Sequence, residues 1–559
     1  VSDLARIRDQ IVRRLQLAGH KPLAERLREI TSHAGQLGRA IEKHQVRDEA
    51  GQLLCTLMQL CQESGWDVAD LTMATLDKLA VQHDHEAHRA LEASIDSAIR
   101  RVAVYIGSFD PPGRSHRAAV LRLLENGFDE VIVRPVAVRY GGDGPEHLAS
   151  MHRAALADLT FGGLPRVSID FSELDRGPKG DPVHLEDRYP PATELAYAVG
   201  AELVAGGQSG SSVIQLHWER GPERWQRDHF LVLHAADKRP TPADLPPRHK
   251  LFELENHVPS AELRSRIFAG NPVDTWVTPE VGEYIRRQRL FVPTLPGQRS
   301  CLTFTEPRLL IEFDQRNEQA RRTAERYAAY QSDSPNAVLV IGGDGTMLHA
   351  IRRHWRLRIP FVGLNAGHLG FLANERLPEK LEGLELVSYA LPMLRVETVS
   401  HAGRVTHGLA FSDAWLERDT GQAAWLRLDV DGRTRVPKIV GDGMLIATAA
   451  GSSAYARALG SIPVPFNTPV LTLAGSNIFQ PRFWKPMNLC DEALISLVNL
   501  DDTGKRPVRS FLDGQPLGVV HSMDVRRSAV AGVELAFTQE FDPSAKLLRS
   551  LFPPQEEIK

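Results

Sequence analysis

The chain has 559 residues, more than one hydrophobic core usually serves, so three or four domains are expected. A formal charge of −4 and a pI of about 6.6 argue against bulk binding to nucleic acid or to an acidic membrane, and no apolar run reaches the roughly 18 residues that crossing a bilayer takes. Cys55, Cys61, Cys301 and Cys490 lack CxxC spacing and are too few and scattered for a disulfide framework or a zinc site. The start, VSDLARIRDQ, is charged rather than signal-like, so a soluble protein of the reducing cytoplasm is expected.

In chain order, residues 1–100 read as an all-helical region. Apolar residues recur there at three- and four-residue spacing (Leu53, Leu54, Leu57, Met58, Leu60), and no proline falls between Pro22 and Pro111. Periodicity then changes. Val102–Ile106 is a strand, followed by a turn, a helix from about His116 and the apolar strand VIVRPVAV, a βαβ alternation that predicts a parallel-sheet α/β domain over 101–291. A loop-rich stretch from Arg176 to Pro191 and a proline-rich patch from Pro240 to Pro247 precede a basic, helical tail reaching Phe291. Prolines and a glycine interrupt VPTLPGQRS, so 292–302 reads as a linker, and 303–559 as an α/β domain with a β-rich companion.

Within the central domain, IGSFDPPGRSH (Ile106–His116) sits at a strand exit. It resembles the GSFDPxHxGH signature of the nicotinate/nicotinamide mononucleotide adenylyltransferase family. VPSAELRSRIFAGNPVDTWVTPEVGEYIRRQRLF parallels that family's SSTxIR motif and the helix ending in YI. The resemblance implies a Rossmann-like nucleotidyl transferase fold whose site includes Gly107, Phe109, Asp110, His116, Ser260 and Arg264. The family uses both histidines to stabilise charge on the ATP phosphates, but here Gly113 replaces the first and Ala261 replaces a usual hydroxyl. A degenerate or weak domain is expected, unless Arg114 or His116 compensates. Farther upstream, Asp48–Gln82 is faintly similar to the all-helical nucleotide pyrophosphohydrolases, which hold Mg²⁺ with carboxylates from two helices. Glu49 remains, yet Gln52 replaces an aspartate and acids around Glu42 are few. A helical bundle that serves as a dimerisation element is the plainer reading, and a homo-oligomer is expected.

The richest stretch is VLVIGGDGTMLHA (Val338–Ala350), a short β-branched strand running through glycines into a helix. Gly342, Gly343 and Gly345 allow close approach of a phosphate, and Asp344, which would repel one, has the work of accepting a proton from a hydroxyl or holding a metal. A lone GGDG is most often a turn; Gly141–Gly144 has the same letters, runs into Pro145 without partner motifs, and reads as a loop. After Gly345 the partners do follow: GLNAGHLGFLANE (Gly363–Glu375), Gly441-Asp442-Gly443, Thr448 with Gly451-Ser452-Ser453-Ala454-Tyr455, and Asp513-Gly514-Gln515. Together they resemble the NAD kinase family, with its GGDGT, N-x-G-x-LGFL, DG…TxTGSTAY and DGQ motifs.

That resemblance implies transfer of the γ-phosphoryl of ATP to the 2′-hydroxyl of the adenosine ribose of NAD. It implies Asp344 as catalytic carboxylate, Gly342, Gly343, Gly345 and Thr346 around phosphate, and Asn365 near the adenine side. Ser412 and Asp413 fall where the family has Asn and an acid, the latter on the nicotinamide-side ribose. Asp442 and Gly443 are expected at sugar or amide groups, Ser453, Ala454 and Tyr455 near adenine, and Thr448 and Gln515 in the same site. Mg²⁺ is expected to arrive with ATP, and no residue is assigned as a resident metal ligand. Ala449 and Ala450 for a Pro-Thr pair, and Ser476 near a usual histidine, lie on the substrate-pocket side. They leave open a kinase of another nucleotide or dinucleotide. Two further readings stand beside that one: a non-catalytic nucleotide sensor or scaffold, and a bifunctional adenylyltransferase and kinase.

Overall fold

The computed structural model describes residues 100–137, 148–176, 189, 193–293, 300–367 and 370–552. The expected helical region before Arg100, the Gly141–Gly144 loop and most of the Arg176–Pro191 stretch lie outside the described residues. The alternation that begins at Val102 builds a parallel sheet. Its strands are β1 (Arg101–Gly107), β2 (Glu130–Pro135), β3 (Val167–Ile169), β4 (Glu194–Gly200), β5 (His229–Ala235) and β6 (His249–Leu254), in the order β3-β2-β1-β4-β5-β6. Val102, Ala103 and Val104 are wholly buried, as a strand covered on both faces requires. The order reverses between β1 and β4, which opens a crevice at their carboxyl ends.

The strands that follow are β7 (Ser300–Thr303), β8 (Leu309–Phe313), β9 (Ala337–Gly342), β10 (Phe361–Asn365), β11 (Glu385–Val399), β12 (Val405–Ala410), β13 (Asp413–Arg418) and β14 (Ala424–Val430). After them come β15 (Arg433–Gly441), β16 (Gly443–Thr448), β17 (Val470–Ser476), β18 (Met487–Cys490), β19 (Ile495–Asn499), β20 (Val508–Leu512), β21 (Gln515–Val520) and β22 (Ser522–Thr538). One mixed sheet runs β15-β14-β19-β22-β10-β9-β8, with β11 pairing β22, β12 and β7. Its β22-β10-β9-β8 portion is parallel. The other sheet, β18-β17-β16-β13-β20-β21, is antiparallel throughout. One expectation is corrected here: Ser300–Thr303 is not linker, because it pairs with Ser388–Glu385 and so opens the C-terminal region as an edge strand.

The central sheet's helices pack onto β22. Asp158, on the helix Ser150–Phe161, accepts from Arg356 Nη2 at 2.7 Å and Arg358 Nε at 2.9 Å. Asp175 accepts from Arg395, from Arg526 Nη2, from Ser528 Oγ and from the Ala529 amide, the last three at 3.0 Å. Arg287 Nε donates to Glu534 Oε2 at 3.0 Å. Ala154, Leu174 and Val530 form a small apolar cluster between them, and a Cβ on Gly532 would lie 2.2 Å from the Met151 sulfur. A larger residue there would have to displace the Met151 side chain. Buried carboxylates and guanidiniums that satisfy one another are costly to separate, so these regions are held together firmly.

Candidate active site

The buried run Val338–Ile341 delivers the chain to Gly342, where a Cβ would meet Thr346 Oγ1 at 2.4 Å. Only glycine lets the helix Asp344–His354 start so close to the strand, which gives Thr346 a packing contact there. Asp344 is the first residue of that helix, where the backbone dipole favours an anion. Its Oδ2 accepts the Phe371 N–H at 3.0 Å and its Oδ1 the Leu372 N–H at 2.9 Å. Burial pushes the carboxyl pKa up; the two amides and the Lys546 charge pull against that rise. A Cβ on Gly343 or Gly345 would meet nothing within 4 Å, so an anion has room against the backbone N–H groups that open the helix.

Asn365, at the end of β10, faces the same carboxylate. A Cβ on Gly370 would lie 3.2 Å from Asn365 Oδ1 and 3.6 Å from Asp344 Oδ1. The N-x-G-x-LGFL element therefore gives Asp344 the pair of N–H groups that orient it and sets Asn365, whose Oδ1 accepts the Gly367 N–H at 3.0 Å, on the other side of Gly370.

A second acidic cluster forms where β13 leaves Phe411 and Ser412. Asp513 accepts N–H groups from Phe411 (2.8 Å), Ser412 (2.7 Å) and Asp413 (3.1 Å). Ser412 Oγ donates to Asp413 Oδ2 at 3.0 Å. Burial first, then the charge of Asp513, raises Asp413 to about 7, while three amides oppose the rise that burial imposes on Asp513. The two carboxyls therefore titrate as a coupled pair, with the higher proton affinity on the side of Asp413, which accepts no amide N–H. Arg352, two turns along the Asp344 helix, donates to the Asp513 carbonyl at 3.2 Å, which ties the two clusters. Asp513 belongs to a motif visible in the sequence, but its grip on residues a hundred positions away is not.

Several of the expected site residues are held by contacts within the chain. The Thr448 hydroxyl donates to the Phe411 and Ser412 carbonyls and accepts the Gly451 N–H, so it braces the site from within. A Cβ on Gly443 would sit 2.1 Å from the Leu416 carbonyl oxygen, so this glycine serves close pairing of β13 and β16. Asp442 accepts from Arg418 Nε at 2.6 Å and Asn477 Nδ2 at 2.7 Å. It lies at the far end of the strand pair from Asp413, since Asp413 opposes Ala447 and Glu417 opposes Gly443. That is about 15 Å at ~3.4 Å per residue, so Asp442 stands well apart from Asp413. Gln515 is exposed at the start of β21. Tyr455 is exposed rather than core, its ring edge-on to Trp415 at 5.4 Å, and Ser453 and Ala454 precede it on the same surface turn.

The crevice of the central sheet is a cavity of about 660 Å³ lined by Gly107, Phe109, His116, Glu202, Lys238 and His257, among others. His116 Nδ1 accepts the Gly113 N–H at 3.0 Å, and burial lowers the imidazole to about 3, so at neutral pH it offers one N–H and no charge. The His257 ring stands 5.6 Å away, its Nδ1 3.1 Å from Ser115 Oγ. Ser260 Oγ donates to the Pro111 carbonyl at 2.9 Å and Arg264 Nη1 to the Asp110 carbonyl at 2.5 Å. Both brace the turn, and Asp110 is itself buried.

A parallel strand exit with an oriented, half-buried carboxylate, beside an antiparallel sheet that presents a second acidic pair, is an arrangement suited to a phosphorylated nucleotide. Residues 277–388 match the family described as ATP-NAD kinase N-terminal domain. The NAD kinase of Rickettsia akari is 35% identical over 225 residues, covering 39% of this chain and 87% of that protein. That of Cereibacter sphaeroides (strain ATCC 17029 / ATH 2.4.9) is 34% identical over 237 residues, 41% of this chain and 91% of its own length. The chain belongs to the NAD kinase family. Yeast NADH kinase complexed with NADH covers 48% of this chain and 94% of its own at 16% identity and a TM-score of 0.38, too slight a likeness to build on.

Proposed function

We propose that the chain transfers the γ-phosphoryl group of ATP to the 2′-hydroxyl on the adenosine ribose of NAD, giving NADP. The observation that carries this is Asp344, oriented by the Phe371 and Leu372 amides with open backbone beside Gly343 and Gly345, in a chain of the NAD kinase family. A ribose hydroxyl is a weak nucleophile at neutral pH. Asp344 takes its proton as the oxygen attacks the γ-phosphorus, the bond to the bridging oxygen breaks, and ADP leaves. Helix-opening N–H groups stabilise charge on the transferring group. Mg²⁺ is assigned to the substrate side, arriving with the triphosphate whose charge it neutralises. Asn365 and the Tyr455 surface are assigned to the adenine side. The test is a nucleotide panel with the full chain, ATP and Mg²⁺, read by mass spectrometry. One added phosphate on NAD supports the assignment, and phosphate on another nucleotide alone contradicts it.

A second proposal concerns the central cavity. It is a nucleotide pocket with weak adenylyl transfer, because His116 is uncharged and Ser260 and Arg264 are committed to the turn. Assembly as a homo-oligomer is also proposed: Phe479 and Phe483, four residues apart, are 77% and 93% exposed, large apolar side chains that association would cover. Light scattering that gives a monomer mass would contradict it.

A further inference from the structure

The turn that orients Asp344 is itself held from behind. Lys546 lies on the C-terminal helix Pro543–Leu551, started by Asp542, whose carboxylate accepts the Ser544 and Ala545 N–H groups. The lysine is buried, and its ammonium donates to the carbonyls of Gly370 and Ala373, both at 2.5 Å. The peptide unit between Gly370 and Phe371 therefore accepts from Lys546 at its oxygen and donates to Asp344 at its nitrogen. The other end of the turn is tied to β10, where the Asn374 N–H donates to the Gly363 carbonyl at 2.8 Å.

We propose that Lys546 is a positioning residue for the Asp344 carboxylate: it fixes the Gly370–Ala373 turn so that the Phe371 and Leu372 amides point at that carboxylate. This rests on reading Asp344 as the general base. A polarised peptide unit between a cation and an anion is a stronger donor than an isolated one, and the two carbonyls keep the four-residue turn from swinging away. A buried ammonium is a poor device for stability alone, since an apolar side chain of similar length would avoid its desolvation. The charges that meet here are few. Lys546 acts on Asp344, while Asp344, Glu375 and Arg549 act on Lys546.

The full chain is compared with Lys546→Met, Lys546→Arg and, as a packing control on the same helix, Leu547→Ala. Phosphorylation of NAD is followed across pH, and amide hydrogen exchange is followed at Phe371 and Leu372. Lys546→Met is expected to lower kcat by about 10²-fold, the scale of a roughly 1 Å misplacement, with KM for NAD and ATP within about threefold. The acid limb of kcat should move to higher pH, because loss of a nearby cation and loosened amides both raise the carboxyl pKa. Exchange at the two amides should quicken, and Lys546→Arg should recover most of each change. Unchanged kcat and exchange in Lys546→Met would overturn the proposal. So would a Leu547→Ala variant that loses as much activity with the same pH shift at a matched thermal midpoint. If the unaltered chain phosphorylates no NAD, the reading of the site fails, and the exchange data alone still decide for or against Lys546.

Discussion

Asp344 sits where many ordinary helix-start acids sit, and its neighbours make the difference: two amides aim it, and burial lifts its affinity for a proton. His116 is the contrary case. Its position in a strand-exit turn points to phosphate chemistry, yet its own turn takes one nitrogen and burial removes its charge. The backbone of Gly113, extended at φ −99° and ψ 171°, is one that any residue adopts, so conformation does not bar a second imidazole. A Cβ would come within 3.1 Å of the Trp276 carbonyl, which the Arg114 N–H also holds at 2.6 Å, so that backbone must give by a few tenths of an ångström. Gly113→His is expected to raise pyrophosphate release from nicotinamide mononucleotide and ATP, by up to the 10²–10³ typical of one such donor, with circular dichroism to check folding. No rise would place the weakness elsewhere in the pocket. Vigorous dinucleotide synthesis by the unaltered chain would refute weakness altogether.

At the scale of elements, the junction of β13 with the turn before β21 stores an electrostatic cost. Asp413 has a folded pKa of about 7, well above its ordinary value, so between pH 4 and 7 the folded chain holds a proton that the unfolded chain does not. Stability from this group therefore falls as pH rises through that window, at about 1.4 kcal/mol per unit of pKa difference. Asp413→Asn should raise the thermal midpoint at pH 8 and change it little at pH 4; a pH-independent difference would contradict the pairing. Part of this is legible in the sequence. Val338–Ala350, Gly363–Glu375 and Asp513–Gln515 are local patterns whose glycines and acids state their own requirements. What stays hidden there depends on distant segments: Asp513 capping Phe411–Asp413, Lys546 gripping Gly370 and Ala373, and Ser300–Thr303 pairing with β11. The bracing contacts of Thr448 and Gly443 stay hidden for the same reason, since the partners of both lie far along the chain.

For the whole molecule, the seam between the central sheet and β22 is the feature that a linker between them does not foreshadow. Asp175 alone answers Arg395, Arg526, Ser528 and the Ala529 amide. Asp175→Ala should cost about 2–3 kcal/mol, since it leaves two half-buried guanidiniums, the buried Ser528 hydroxyl and the Ala529 amide without their partner, and should appear as a lower denaturation midpoint and faster proteolysis. A loss below about 1 kcal/mol would mean that the seam is solvated and the halves are independent. A chain cut at Ser300 loses the same contacts, along with Met151 against Gly532, and is expected to be less stable than the full chain.

Asp344→Asn keeps the shape of the turn but cannot accept the ribose proton. The most direct measurement is NADP formed from NAD, ATP and Mg²⁺ by the full chain and by this variant, with NAD binding followed in parallel. The account predicts a loss of about 10²–10⁴ in kcat with NAD still bound. Unchanged turnover in the variant, or no NADP from the unaltered chain, would contradict it.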